Sequence, residues 1–474
     1  MFHRRKFLQN ALKSLGSLAI GPSDRSVLNI GGLCTVKLRG DAPVSVPVNF
    51  IGLGYEMSSV ATPGLLSVSN RRYVNLVKGL GTTGIIRVGG IVADYTRYEP
   101  DGISKWERQH TVISRADLHR FGEFLKETRW SAIWSVNFAQ GSKEDAVFEA
   151  RAVADVLGER LLAIELGNEV ENYARGEKPF RAPGYDFDRY RAEYSEWHAA
   201  IQNAVPGIRF AAPDTASSVE WVERMAEDSK GDVQLLTTHY YRGSQRDGTA
   251  GQLLRPDPRL KDIVERLRAV SARSAIPWRM CETNSFFGGG RPGVSDTFLA
   301  ALWILDYMLL LAQYGCSGVN IETGVNQLGF VSSYSPIQDD LKGINAAGAP
   351  YYGMLAFATA VVGCNQILPI DFDTQNINMT AYVLGIQGKP CALVVINKDD
   401  LQDAHLSTRN LGFERAFALR LKAPSLDTKV GITFGGSSVG PDGRWKAGTI
   451  EEIRNGAVTV PRASALVFRI QKLP

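Results

Sequence analysis

The sequence predicts an α/β fold, a (β/α)8 barrel with a C-terminal β-sandwich that takes in an N-terminal strand, and two observations predict it. From residue 48 onward, short β-branched or apolar runs alternate with longer amphipathic ones, and strand and helix take turns eight times. After about residue 360 the alternation stops, and strand-like runs follow one another with Gly, Pro and Ser between them and no helix. An open doubly wound sheet is the rival topology, but no G-x-G-x-x-G turn follows the early strands.

The eight barrel strands are expected at "VNFIGLGYE" (48–56), "GIIRVGG" (84–90), "SAIWSVNF" (131–138), "LLAIELGNE" (161–169), "RFAAPDT" (209–215), "DVQLLTTHYY" (232–241), "PWRMCETN" (277–284) and "GVNIET" (318–323). Each is a short apolar run of the kind buried on both faces in a parallel sheet. Between them lie helical patterns such as "RADLHRFGEFLKET", "EDAVFEARAVADVL" and "SDTFLAALWILDYMLLLAQYG". In the tail, "MTAYVLGIQGKPCALVVINKD", "FALRLKAPSL", "KVGITFGG" and "AVTVPRASALVFRI" read as strands, and the early run "SVLNIGGLCTVKLRG" (26–40) is a strand that can join them. The domain division is therefore 26–47 as N-terminal strand, 48–360 as barrel and 361–474 as sandwich. Residues 1–25 carry Arg4-Arg5-Lys6-Phe7-Leu8 before a modestly apolar stretch, as in a twin-arginine export signal, which sets the expectation of a periplasmic or secreted protein.

Composition narrows the partners. The 474 residues carry 53 Lys and Arg against 49 Asp and Glu, scattered along the chain, which argues against a nucleic-acid footprint. No apolar run has the length of a membrane span. Cys34, Cys281, Cys316, Cys364 and Cys391 show no zinc spacing and read as small buried hydrophobes; Cys281, preceding Glu282 in a strand, is expected to face the covering helices. No metal or cofactor is expected. Oligomeric state is not legible.

The strands end in chemistry. Tyr55-Glu56, Arg87, Asn137, Asn168-Glu169, Asp214-Thr215, His239-Tyr240-Tyr241, Glu282-Thr283-Asn284 and Glu322-Thr323 converge on the C-terminal face of the barrel, where such folds place their sites. Glu169 and Glu282 can meet there. Cleaving an acetal requires protonating a poor leaving group while stabilising a cationic sugar carbon, and one protonated plus one ionised carboxyl does both. Arg87 and a tyrosine of "HYY" are candidate donors that keep Glu282 ionised. Plainer roles stand beside these: Arg87 as a neutraliser of barrel carboxylates, Asp94 as a loop cap, Asn137 as a partner of loop backbone, His239 as an interior hydrogen-bonded histidine. For Trp134, Phe286, Phe287 and Phe330, core packing competes with sugar stacking.

"GLGYE", "RVGGIVADYT", "AIELGNEVEN", "FAAPDTA", "THYY", "CETNSFFGGGRPGVSDTFLAALW", "SYSPI" and "YYGMLAFA", in this order over about residues 50–360, resemble the bacterial β-glucuronidase and heparanase family of retaining glycosidases, glycoside hydrolase family 79. The resemblance implies Glu169 as acid/base, Glu282 as nucleophile, Asn168 at the sugar 2-hydroxyl and Tyr241 beside the nucleophile. It implies Glu56, Asp94 and Asn137 along the subsite of the cleaved sugar. The Phe286–Gly290 loop, with Phe287 and Gly289, and Tyr334 fall where relatives hold the glucuronate carboxylate. Two positions depart from that pattern: Phe287 stands where a tyrosine is expected and Glu322 where a histidine is expected. Both changes disfavour an anionic sugar, Glu322 by its charge, although Arg291 can compensate. The expectation is thus an exo-acting retaining β-glucuronidase, with a neutral-sugar β-glycosidase as alternative. A carbohydrate-binding protein without catalysis is the reading from another class, and the retention of both glutamates weighs against it.

Overall fold

A computed structural model of the chain describes residues 33–176, 179–324, 331–339, 345–412, 415–454 and 456–470. The expected export signal and Phe330 lie outside the described residues. Eight parallel strands close into a barrel: Gly52–Glu56, Ile85–Gly89, Ser131–Val136, Leu161–Leu166, Phe210–Thr215, Leu235–Ser244, Trp278–Phe287 and Val319–Glu322, called one to eight below. Strand eight pairs with strand one through Ile321 and Leu53, which removes both edges. The barrel expected from the alternation is the barrel observed.

The period of two along each strand organises the interior in layers. Ile85, Ile133, Ala163, Ala211, Leu235 and Cys281 form an apolar plug low in the barrel. Two residues further on, Arg87, Ser135 and Glu165 form a buried polar layer, and the strand ends stand above it. Strand one contributes Gly52 and Gly54 to the interior because neighbours already fill that space: a Cβ on Gly54 would lie 2.6 Å from Glu322 Oε2.

Two strands break the period. Across strands six and seven, Thr238 pairs with Met280 and His239 with Glu282, so strand seven carries one extra residue, Cys281. This bulge leaves Cys281 in the plug and also turns Glu282 inward onto Arg87, while Thr283 faces out and bonds Tyr307 of helix Phe298–Gln313 at 2.7 Å. The expectation that Cys281 faces the helices is therefore corrected: simple alternation fails where a residue is inserted. Strand five does the same, with Pro213 and Thr215 opposite Thr237 and Thr238, and Asp214 left over at a left-handed φ of 57°.

The outer helices begin where the sequence supplies caps. Ser114 with Asp117 and Ser142 with Asp145 form capping boxes for helices Arg115–Thr128 and Lys143–Leu157. Helices Phe298–Gln313 and Ala349–Val361 are apolar all round because each is covered by the barrel and by the sandwich. Among the described residues, no helix is long and apolar enough to cross a membrane.

The C-terminal region is two packed sheets. In the larger one, Val383, Leu393 and Val395 face the smaller sheet, while Tyr382, Leu384 and Val394 face the barrel helices, so successive residues serve two cores. Cys34–Leu38 completes the smaller sheet, antiparallel to Ile370–Asp373 and parallel to Ala404–Ser407, which is where the early strand was expected to go. Asp306 pins sandwich to barrel, accepting from Lys398 Nζ (2.5 Å), Thr380 Oγ1 (2.7 Å) and Tyr382 Oη (2.8 Å). Cys364 and Cys391 form a disulfide, so the reading of all five cysteines as packed thiols holds only for Cys34, Cys281 and Cys316. Spacing within a β-domain gives no sign of such a pair before its register is known.

An excursion after strand two was not anticipated. Thr96–Tyr98, Lys105–Glu107 and His110–Ile113 form a separate three-stranded sheet, whose hairpin turn delivers Arg108 to the mouth of the barrel.

Candidate active site

A cleft of about 850 Å³ opens over the C-terminal strand ends, lined among others by Glu56, Asn168, Glu169, Tyr241, Glu282, Phe287, Gly289 and Tyr334. All eight were expected there. Glu169 and Glu282 are brought together: each offers a carboxylate oxygen, and with a His239 nitrogen these atoms lie within 4.8 Å of one another.

The local backbone explains how a helix-bound loop can present Glu169. Gly167 has φ 85°, and a Cβ there would collide with the Tyr173 hydroxyl, so the turn needs glycine. Glu169 itself sits at φ 49°, held by its N–H donating to the Asp214 carbonyl at 2.8 Å. Its side chain is 34% exposed, whereas that of Glu282 is 13% exposed. One carboxyl faces solvent at the rim and the other lies deeper.

Arg87 is the hub. Its guanidinium donates to Glu165 Oε2 (3.0 Å), Glu282 Oε2 (2.9 Å), Asn168 Oδ1 (2.9 Å) and Asp214 Oδ2. Burial opposes its charge, but Asp214, Glu165 and Glu282 raise its pKa well above the ordinary value. Tyr241 Oη donates to the other oxygen of Glu282 at 2.8 Å. Glu282 therefore accepts one charged and one neutral hydrogen bond. Because Arg87 occupies Asn168 Oδ1, the Asn168 amide NH₂ remains as the donor turned to the cleft.

His239 bonds Asp214 Oδ1 through Nε2 at 2.9 Å and approaches Glu169 Oε1 through Nδ1 at 3.4 Å. Burial opposes its protonation, yet Asp214 and Glu282 push its pKa well above the usual range. Glu169, His239 and Glu282 have the spacing of a metal cluster, and there the imidazole is already engaged by Asp214 and Glu169. Glu165, Asp214 and Cys281 are similarly close, and there Arg87 already occupies the carboxylates while burial raises the Cys281 thiol far from thiolate.

Two carboxyls near Glu282 are shifted toward the neutral form. Burial and the charges of Glu282 and Glu56 raise Glu322 well above the carboxylate range. Burial and Glu282 raise Glu56 to about 7 against the pull of the Val92 N–H, Arg87 and Arg108. Glu322 lies beneath the cleft wall, and its Oε2 has no hydrogen-bond partner among the described residues. This changes the expectation for that position, since a neutral Glu322 adds no charge against an anionic sugar.

Three residues with expected roles are placed elsewhere. Asn137 lines a separate cavity and is spent on loop backbone, donating to the Thr96 carbonyl and accepting from the Gln140 and Gly141 N–H groups. Asp94 is 1% exposed and accepts from Tyr173 Oη at 2.6 Å; Tyr173 Oη in turn accepts from the Asn168 N–H, so Asp94 braces the loop from behind. Arg291 points away from the cleft lining and donates to the Gln245 and Arg246 carbonyls. Conversely, Arg108 and Arg259 line the cleft and were not singled out from the sequence. The loop Gly288-Gly289-Gly290 runs at φ 87°, 97° and 82°, a path open to glycine, and the Ser333 N–H donates to the Gly289 carbonyl at 2.6 Å beside Tyr334.

No family model matches the chain. Among curated proteins it is 27% identical over 366 residues to a β-glucuronidase of Neurospora crassa, covering 67% of this chain and 63% of that one. It is 25% identical to a β-glucuronidase of Aspergillus niger over 79% of this chain and 75% of the relative, and 29% identical to bovine heparanase over 32% of this chain and 29% of that one. The chain thus spans less than two thirds of the Neurospora relative's length. These relatives bear out the resemblance to the β-glucuronidase and heparanase family. Among solved structures, a 4-O-α-L-rhamnosyl-β-D-glucuronidase of Fusarium oxysporum superposes with a TM-score of 0.75 at 19% identity, covering 92% of this chain and all of the other. An arabinofuranosidase of Xanthomonas axonopodis does so at 0.63 and 15%, covering 93% of this chain and all of that one. At these identities the superpositions carry the fold.

Proposed function

We propose that the chain is a retaining, exo-acting β-glycosidase that hydrolyses β-D-glucuronides by double displacement, with Glu169 as acid/base and Glu282 as nucleophile. The observation that carries this reading is the approach of the two carboxylates, with oxygens within 4.8 Å. Inverting enzymes seat a water between carboxyls roughly 6.5–9.5 Å apart, and retaining ones close the gap to about 5–5.5 Å.

Environment divides the roles. Glu282, deep and accepting from Arg87 and Tyr241, is the ionised group that attacks the anomeric carbon. Glu169, at the rim, donates its proton to the glycosidic oxygen as that bond breaks and the alcohol leaves. It then takes a proton from the water that attacks the same carbon, releasing the sugar with its configuration retained and restoring the Glu282 carboxylate. The Asn168 amide donates to the sugar 2-hydroxyl, where hydrogen bonds strengthen in the transition state.

The curated β-glucuronidases support a glucuronide, and the raised pKa of Glu322 weakens the objection from its charge. A neutral sugar is the second reading, favoured by Phe287, which stands 55% exposed at the cleft and offers no hydroxyl donor. Matched chromogenic β-glucuronide, glucoside, galactoside and xyloside, tested on wild type, Glu169→Ala and Glu282→Ala, separate the readings. The expected result is glucuronide preference in wild type, loss in both variants, and azide rescue of Glu169→Ala with a retained-configuration product. An active Glu282→Ala enzyme would overturn the mechanism. Export through the Arg4-Arg5 leader belongs to the same proposal, and a reporter fused to residues 1–25 that stays inside the cell would count against it.

A further inference from the structure

Resting on the glucuronide reading, we infer that Arg108 is a specificity-determining residue, the cation of the cleft against which the carboxylate of the cleaved sugar is held. Strands seven, eight, one and two are consecutive staves, and their ends and loops build one continuous wall of the cleft from Phe287, Gly289, Tyr334, Glu56 and Ile91. That wall includes the Phe287–Gly289 loop and Tyr334, yet Phe287 contributes a ring with no donor, packed edge-on to Tyr241 at 6.3 Å. An anion drawn out of water needs a charged partner or several donors.

Arg108 supplies the charge from outside the barrel framework. It sits in the turn between Lys105–Glu107 and His110–Ile113, lines the cleft, and is exposed. Among the described residues it makes no hydrogen bond or ion pair; it exerts a Coulomb pull on Glu56, which in turn acts on Tyr334. Arg108 therefore belongs to the Glu56 and Tyr334 side of the cleft. The other lining cation is committed: Arg259 donates to the Tyr241 carbonyl, lies 5.2 Å from the Tyr240 ring centroid and approaches Asp257 at 3.8 Å. Arg291 is engaged outside the cleft. A guanidinium with free donors matches a carboxylate bidentately, which an ammonium cannot.

The test is Arg108→Gln and Arg108→Lys in the full chain, assayed on 4-nitrophenyl β-D-glucuronide and the matched glucoside. The expected result is a KM for the glucuronide raised about 10- to 100-fold in Arg108→Gln, the worth of one charge-assisted hydrogen bond. Glucoside kinetics stay within about two-fold of wild type, and Arg108→Lys recovers part of the loss. Unchanged glucuronide kinetics overturn the inference while leaving the proposed function standing. An equal loss on both substrates also overturns it, since that marks a structural role. A wild-type enzyme that prefers the glucoside overturns the functional reading itself.

Discussion

The state of Glu322 makes a sharp prediction, because the sequence alone assigns it a charge and its surroundings remove that charge. The perturbation is Glu322→Gln, which keeps size and shape and removes only the capacity to ionise. The carboxyl is raised by burial and by Glu282 and Glu56, against Arg87 and His239. A group raised above its unfolded value is neutral below the folded value and becomes charged only above it. Were it ionised, a carboxylate roughly 5 Å from a bound glucuronate would cost about 3 kcal/mol at an effective dielectric of about 20, a factor near 100 in binding. Held neutral, it costs nothing. At about pH 5, wild type and Glu322→Gln should therefore hydrolyse the glucuronide with kcat/KM within about two-fold of each other. As pH rises Glu322 ionises in wild type alone, so the alkaline decline should begin at higher pH in the variant, and a neutral glucoside should show a smaller difference. The assay is kcat/KM against pH for both substrates, with circular dichroism confirming the fold. A variant already about 100-fold faster on the glucuronide near pH 5 would refute the reasoning, because only a charge present in wild type could be relieved.

Three further outcomes follow from named contacts. Tyr241→Phe removes the 2.8 Å donor to Glu282 and should lower kcat by about 10- to 100-fold with the fold intact, measured by steady-state kinetics. Glu149 is buried with its pKa raised by burial to about 7, its Oε1 accepting from Trp134 Nε1 at 2.7 Å. Its stabilising contribution is complete below the unfolded carboxylate value and is lost as pH rises through about 7, so Glu149→Gln should be near neutral at acid pH and more stable than wild type at about pH 8, by up to roughly 3 kcal/mol in urea unfolding. Asp306→Ala strips the partner from the buried Lys398 and should cost about 3–5 kcal/mol, read as a fall in the urea midpoint.

The fold was legible because its signal is periodic. Runs such as "GIIRVGG" and "SAIWSVNF" are apolar on both faces, which only a sheet covered by helices requires, and all eight appear as barrel strands. The excursion after strand two was not anticipated, since "TRY" and "KWE" are short and largely exposed and carry no face to bury. Its one local sign was Asp101-Gly102 ahead of the alternating "KWERQHTVI". In the site, Glu169, Glu282 and Tyr241 were legible as polar groups at strand ends. Asn137 was misplaced because an amide at a strand end satisfies a loop as readily as a sugar, and sequence cannot tell which is nearer. That Arg87 neutralises barrel carboxylates was among the readings, but which ones, Glu165 and Asp214, was not legible: a buried ion network is a property of three-dimensional proximity, and each carboxylate alone reads as an ordinary polar residue.

Pleated strands count in twos, and the placement of the reactive carboxylate depends on an odd number. The residue left over at Cys281 shifts the parity of everything after it, so that a position numbered for the outside of the cylinder is delivered to its bore. Excising that one residue would leave the inventory of acids, amides and tyrosines complete, yet seat Glu282 directly after Met280, in the inward place that Cys281 now fills among the apolar plug residues. A change of length at this point of the strand thus moves the carboxylate itself, whereas exchange of the buried Cys281 for another small apolar side chain alters only the plug.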